Sequence, residues 1–160
     1  MDLILWRHAE AEDPRPGESD LDRGLTSRGR DQASAVAVWL RSHLPQDARI
    51  LASPARRTRQ TADALGIAYR IESRLAPGGN AGQLLTACGW PDAGGTVLIV
   101  GHQPTLGEAA ALLLSGSPQP WTVRKGSLWW LRGRQRQGVA QVVLDTVITP
   151  DRVREDGQTD

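Results

Sequence analysis

Residues 2–6 (DLILW) and 96–100 (TVLIV) are dominated by short, continuous apolar runs. Runs of this length without alternation suit strands covered on both faces, as in a parallel sheet. Each is followed at once by a basic or glycine–histidine step, Arg7-His8 in the first and Gly101-His102 in the second. Residues 49–52 (RILA) and 67–71 (IAYRI) read as two further short strands. Helical periodicity lies between them. Ala33, Val36, Ala37, Leu40 and Leu44 fall on one stripe of an amphipathic helix, which Thr26 or Ser27 caps and Pro45 ends. A second helix is expected from SPARRTRQTADAL, with Ser53 as N-cap, Pro54 as its first residue and Gly66 as its stop. A third, weaker pattern covers about 80–88, and a fourth begins at Pro104 with Leu106, Ala109, Ala110 and Leu113 on one face.

The C-terminal part changes character. Residues 126–133 and 139–148 have strand composition and a Gly/Gln-containing connection, the pattern of an antiparallel hairpin. Trp129 and Trp130 would point to opposite faces of its first strand. Strand–helix alternation followed by a hairpin predicts an α/β fold. The expected form is a three-layer αβα sandwich, with a mainly parallel central sheet and helices on both faces. We read residues 1–150 as one domain and residues 151–160, which are polar, as a frayed tail.

Composition narrows the possibilities. The chain has 160 residues, enough for one substantial core, and a net charge of +1. Global charge therefore points to neither a nucleic-acid nor a membrane partner. Nearly all the positive charge is arginine, because Lys125 is the only lysine, so an anion site here would be built from forked guanidiniums. The single cysteine, Cys88, excludes an internal disulfide and a cysteine zinc cluster, and reads as a small apolar helix residue. The start does not resemble a signal peptide, and no run is long enough to span a bilayer, so a cytoplasmic location is expected.

In open α/β sheets, ligands sit at the carboxyl ends of the strands. Three segments should reach that edge: Arg7-His8, the SPARR stretch at 53–57, and Gly101-His102-Gln103. Converging arginines, histidines and a helix start make an anion site, and phosphate is the commonest such anion. The loop 11–24 follows Arg7-His8 closely and carries two prolines, two glycines and five acidic residues. It is either a cover over the site or an ordinary solvated loop.

The motifs RHA (7–9), LTSRGRDQA (25–33), SPARRTRQTA (53–62) and VGHQP (100–104) stand in this order along the chain. With them the chain resembles the histidine phosphatase superfamily, the phosphoglycerate-mutase-like fold, and within it the short SixA-type phosphohistidine phosphatases. The resemblance implies that His8 accepts the phosphoryl group. It implies that Arg7 and Arg57 grip the phosphoryl oxygens and that His102 is the second histidine of the pocket. Arg23 and Asp20 are implied near the site, although each suits loop surface equally well. Ser53 and Gln103 complete the expected phosphate- and substrate-binding set. Arg56 and Arg59 compete with Arg57 from the same segment, and His43 reads as surface or capping. The resemblance implies no cofactor and no metal, and three scattered histidines make a poor zinc motif.

The chemistry is consistent with these roles. A neutral imidazole is a nucleophile and an imidazolium is not, and positive neighbours depress a histidine pKa. Arg7 and Arg57 would keep His8 neutral and also neutralise the charge of a transferring phosphoryl group. Larger family members carry a proton-donating carboxylate after the third strand. Here residues 74–85 (RLAPGGNAGQLL) contain none, and Asn80 stands in its neighbourhood. An alkoxide leaving group needs such a donor, whereas a protonated phosphohistidine leaves readily as imidazole. Glu10, Asp20 or Asp22 remain candidate donors from the loop. The favoured reading is a phosphatase acting through a phosphohistidine on His8, with protein phosphohistidine as substrate. Its partner would be a histidine phosphotransfer domain or a phosphocarrier. The alternatives are a phosphomonoesterase for a small phosphorylated metabolite and a phosphate-binding module without turnover.

Overall fold

A computed structural model describes residues 1–137 and 139–156. Six strands form one sheet: β1 (Asp2–Arg7), β2 (Arg49–Ala52), β3 (Arg70–Ile71), β4 (Thr96–Gly101), β5 (Leu128–Arg136) and β6 (Val139–Ile148). Their order is β3-β2-β4-β1-β5-β6. β1, β2, β3 and β4 run parallel, while β5 pairs antiparallel with β1 and with β6. The helices are α1 (Ser27–His43), α2 (Arg56–Asp63), α3 (Ala81–Cys88), α4 (Thr105–Ser115) and α5 (Pro150–Asp156). The mixed sheet with helices on both faces is the expected α/β sandwich.

The apolar runs explain the layers. Leu3, Leu5, Val97 and Ile99 point to one face and pack with Leu84, Ala87, Leu106 and Ala110 of α3 and α4. Ile4, Trp6, Leu98 and Val100 point to the other face, against Val36, Ala37 and Leu40 of α1 and Ala62 of α2. Strand side chains alternate between faces, so a strand covered on both sides must be apolar at every position. Trp129 and Trp130 obey the same alternation and are claimed by opposite layers, Trp129 by the first and Trp130 by the second.

The cap of α1 is as expected: the Thr26 side chain accepts from the Gly29 backbone N–H. Gly29 itself is required by packing, because a Cβ there would overlap the Glu10 carbonyl oxygen. Three local expectations are corrected. α2 starts at Arg56 with Ala55 as N-cap, not at Pro54 behind Ser53, although the Ser53 hydroxyl still accepts from the Ala55 N–H (3.3 Å) beside its contact with His102. β3 is only Arg70–Ile71, an edge strand with both residues exposed, so burial does not extend it back to Ile67. The stretch expected to fray carries α5, which packs beside α1. Residues 157–160 of that tail lie outside the described residues.

Register decides what the strands deliver. Arg7 of β1 lies beside Gly101 of β4, and Ala52 of β2 beside Val100. The His8 backbone N–H donates to the Gly101 carbonyl (3.1 Å), and the Ser53 N–H to the Val100 carbonyl (3.1 Å). Three strand exits remote in sequence therefore open at one level of the sheet edge.

Candidate active site

His8 and His102, on adjacent strand exits, are both buried, with ring centroids 5.3 Å apart. The His8 Nδ1 sits 2.7 Å from the Ala9 carbonyl oxygen. A carbonyl only accepts, so Nδ1 carries the proton and Nε2 is left with its lone pair. Burial, then the nearby charges of Arg57, Arg7 and Lys125, push the His8 pKa down to about 4. The Ala9 contact opposes this shift. Desolvation therefore ranks ahead of the arginines, which the sequence reasoning had made the main cause. His102 is held down to about 3, again by burial first, then by His8 and Arg57. Both rings are neutral at neutral pH.

Arg57, from the first turn of α2, is 3% exposed and reaches the histidines from the third strand exit. Its two terminal nitrogens donate to the Asp20 carbonyl (2.6 Å) and the Asp20 Oδ2 (2.9 Å). The second also approaches His102 Nδ1 at 3.4 Å. Of the competing arginines, Arg56 and Arg59 are exposed, as the helical period requires once Arg57 faces inward. Arg7 donates to the Val123 carbonyl (2.9 Å). The Nε atoms of Arg7 and Arg57 are buried without a hydrogen-bond partner among the described residues. An unpaired buried donor costs about 1–3 kcal/mol, and an anion is the ligand that would relieve it.

Arg7, His8, Arg57 and His102 line a cavity of about 240 Å³, joined at its rim by Arg23, Gln103 and Lys125. Arg23 lines the cavity, whereas Asp20, half exposed, does not line it and reaches the site through Arg57. Asp20 sits on a short 3-10 turn (Asp20–Asp22), with one carboxylate oxygen on Arg57 and the other on Arg23 (2.8 Å). Burial raises the Asp20 pKa, but hydrogen bonds from Arg57 and Arg23 outweigh it and hold the group below its usual value.

Two expected binding residues act differently. Ser53 is fully buried behind His102 and does not line the cavity: its Oγ is 2.7 Å from His102 Nε2. Since arginine can only donate to His102 Nδ1, Nε2 carries the proton and the Ser53 hydroxyl accepts it. Gln103 lines the cavity, but its amide is committed at both ends, donating to the Trp121 carbonyl (2.9 Å) and accepting from the Gly107 N–H (3.0 Å). Asn80 is the N-cap of α3, in a reciprocal capping box with Gln83, and does not line the cavity. The Glu10 carboxylate is taken by Thr26 and Arg28 at the start of α1. Sequence reasoning missed Asp13, the lining carboxylate, and Lys125. The signal for Lys125 was its uniqueness. Asp13 was hidden among five acidic residues of one loop.

Fold and site together define an α/β protein with a cationic anion pocket at the carboxyl edge of its sheet. The family model of the histidine phosphatase superfamily (branch 1) matches residues 3–78. An uncharacterized protein of Picosynechococcus is 37% identical over 128 residues, covering 72% of this chain and 74% of that protein. Phosphohistidine phosphatase SixA of Escherichia coli is 30% identical over 132 residues, covering 75% and 78%. Among solved structures, the protein histidine phosphatase SixA complexed with tungstate superposes with a TM-score of 0.78 at 22% identity, covering 96% of this chain and 99% of that one. The chain belongs to the histidine phosphatase superfamily and is a phosphatase with SixA relatives.

Proposed function

We propose that this phosphatase moves a phosphoryl group from a protein-borne phosphohistidine to His8 and then to water. The observation that carries the reading is the His8 tautomer. Its Nδ1–H is pinned to the Ala9 carbonyl, so the Nε2 lone pair is available on a neutral ring in a cavity walled by Arg7 and Arg57. In the first step Nε2 attacks phosphorus, the substrate P–N bond breaks, and the substrate imidazole leaves with the electron pair and takes up a proton. Arg7 and Arg57 neutralise the charge on the phosphoryl oxygens as the bond order shifts. In the second step water attacks phosphorus, the P–Nε2 bond breaks, and inorganic phosphate and neutral His8 are regenerated. His102, its ring nitrogens engaged by Ser53 and Arg57, lines the pocket beside His8.

Two features support phosphohistidine over a metabolite ester. The cavity of about 240 Å³ is below the roughly 300–1,000 Å³ typical of pockets that engulf a small molecule, and suits a phosphoryl group presented on a protein surface. Residues 74–85 also carry no carboxylate, Asn80 among them is spent on capping α3, and Glu72 just after β3 is paired with Arg74.

Rapid-quench trapping of labelled phosphoenzyme tests the reading, using a histidine-phosphorylated carrier protein and an aryl phosphate side by side. The carrier should label His8 faster and turn over with the higher kcat/KM, and His8→Gln should give no labelled protein. Equal or better turnover of the aryl phosphate would defeat the protein substrate. A His8→Ala protein with full activity would remove the covalent mechanism.

A further inference from the structure

Lys125 stands on a segment that the catalytic strand holds in place. The Gly126 N–H donates to the His8 carbonyl (3.1 Å), and the Arg7 N–H to the Ser127 carbonyl (3.0 Å). The Trp6 indole donates to the Gly126 carbonyl (2.9 Å), and the Arg7 guanidinium to the Val123 carbonyl (2.9 Å). Val123, Gly126 and Ser127 are buried, while Lys125 is exposed above them at the rim of the cavity. Its neighbours on both sides are thus tied to the catalytic strand.

The charges of the pocket are unequally employed. Arg7 and Arg57 face the negative charges of a phosphoryl dianion, although Arg57 is also paired with Asp20. Arg23 is paired with Asp20. Lys125 has no ion-pair partner among the described residues. A compact ammonium on a flexible stem at a rim is suited to a point charge beside the phosphoryl group, not to bidentate capture of the group itself.

We propose that Lys125 is a specificity-determining residue that receives a carboxylate carried by the substrate next to its phosphoryl group. On the reading above, that carboxylate belongs to an acidic side chain flanking the phosphohistidine, so this inference rests on that reading for its source but not for its chemistry. Interfacial charges of this kind discriminate between partners more than they add raw affinity.

The test uses the full chain and four probes. Two are histidine-phosphorylated peptides, one with Asp/Glu and one with Asn/Gln flanking the phosphohistidine. Two are monoesters, phosphoglycolate with a carboxylate and ethyl phosphate without. The quantity read is the ratio of kcat/KM between the charged and uncharged member of each pair. In the wild type the acidic peptide should be preferred. Lys125→Ala should cut that preference about twofold to fivefold, mainly through KM, which is the size of one solvent-exposed ion pair. Lys125→Arg should retain it, and Lys125→Glu should reverse it. An unchanged ratio in Lys125→Ala, or equal losses on both members of a pair, would overturn the proposal, since the lysine would then be idle or hold the phosphoryl group itself. If the wild type cleaves neither peptide but cleaves the monoesters, the phosphohistidine reading fails. The phosphoglycolate pair then decides the lysine by the same ratio.

Discussion

The Nδ1 of His8 donates to the carbonyl of its own neighbour, Ala9, across 2.7 Å. A bond between adjacent residues depends little on distant packing once the strand exit is formed. It leaves one ring nitrogen, Nε2, for chemistry. We expect ¹⁵N NMR of the His8 ring to report a neutral Nδ1–H tautomer from pH 7 down to about pH 5, because its pKa is pushed down to about 4 by burial. A ring that titrates near 6.5 would refute the assignment.

The same depressed values fix the sign of a stability effect. Both rings have folded-state pKa values below the ordinary 6.5, about 4 for His8 and about 3 for His102. The unfolded chain therefore binds more protons than the native protein below pH 6.5. The stability contributed by the neutral rings is complete above 6.5 and is lost as pH falls toward 4. Between pH 6 and 5 the slope should reach up to about 2–3 kcal/mol per pH unit, since each fully unmatched proton is worth 1.4. Urea titrations at successive pH values measure it, and His8→Gln should roughly halve the slope in that window. The paired carboxylates act at lower pH: Glu72, held down to about 2 first by its Arg74 hydrogen bonds, loses its contribution as pH falls from the ordinary carboxylate value through about 2.

Asp20 occupies the guanidinium of Arg57 with both its carbonyl and its carboxylate. A phosphoryl anion must share that guanidinium with a competing negative charge. Asp20→Asn keeps the carbonyl contact and removes the charge. Inhibition by inorganic phosphate should tighten by about threefold to tenfold, the size of one partly screened ion pair. Weaker phosphate inhibition would show that the carboxylate serves chiefly to orient Arg57.

Gly107 of α4 lies against the segment that forms the pocket wall. A Cβ at this position would overlap the Trp121 carbonyl oxygen and crowd the Gln103 amide. Gly107→Ala should therefore displace the 121–127 wall, costing about 1–3 kcal/mol in denaturant unfolding, as overpacking does. It should also lower kcat by moving the Arg7 contact at Val123. A variant as stable and active as the parent would contradict this close packing.

The extent to which the site could be read from the chain follows the range of the interactions involved. His8, Arg7 and His102 were legible because each follows an apolar run that ends in a basic or glycine–histidine step, whereas Arg57 was separated from Arg56 and Arg59 only by the family resemblance. The amphipathic stripe of α1 was legible from its local periodicity. Ser53 was not. Its sequence position suits a helix cap, and only the apposition of β2 and β4 brings His102 within 2.7 Å to claim its hydroxyl. Asp13 was also out of reach, because an irregular segment carries no periodicity that tells which side chain turns toward a cavity, and Lys125 carried only its uniqueness as a signal.

By itself, then, the sequence determined the layers, the strand and helix alternation, and the two histidines and Arg7 at strand exits. These follow from side-chain periodicity and backbone chemistry within a few residues. Tertiary structure alone decided the parallel register that sets His8 beside His102, the contact of the Ser53 hydroxyl with His102, and the seating of Asp20 on Arg57. Those are contacts between residues 37 to 94 positions apart. Their geometry is set by how the strands pair and the helices pack, and no local pattern encodes it.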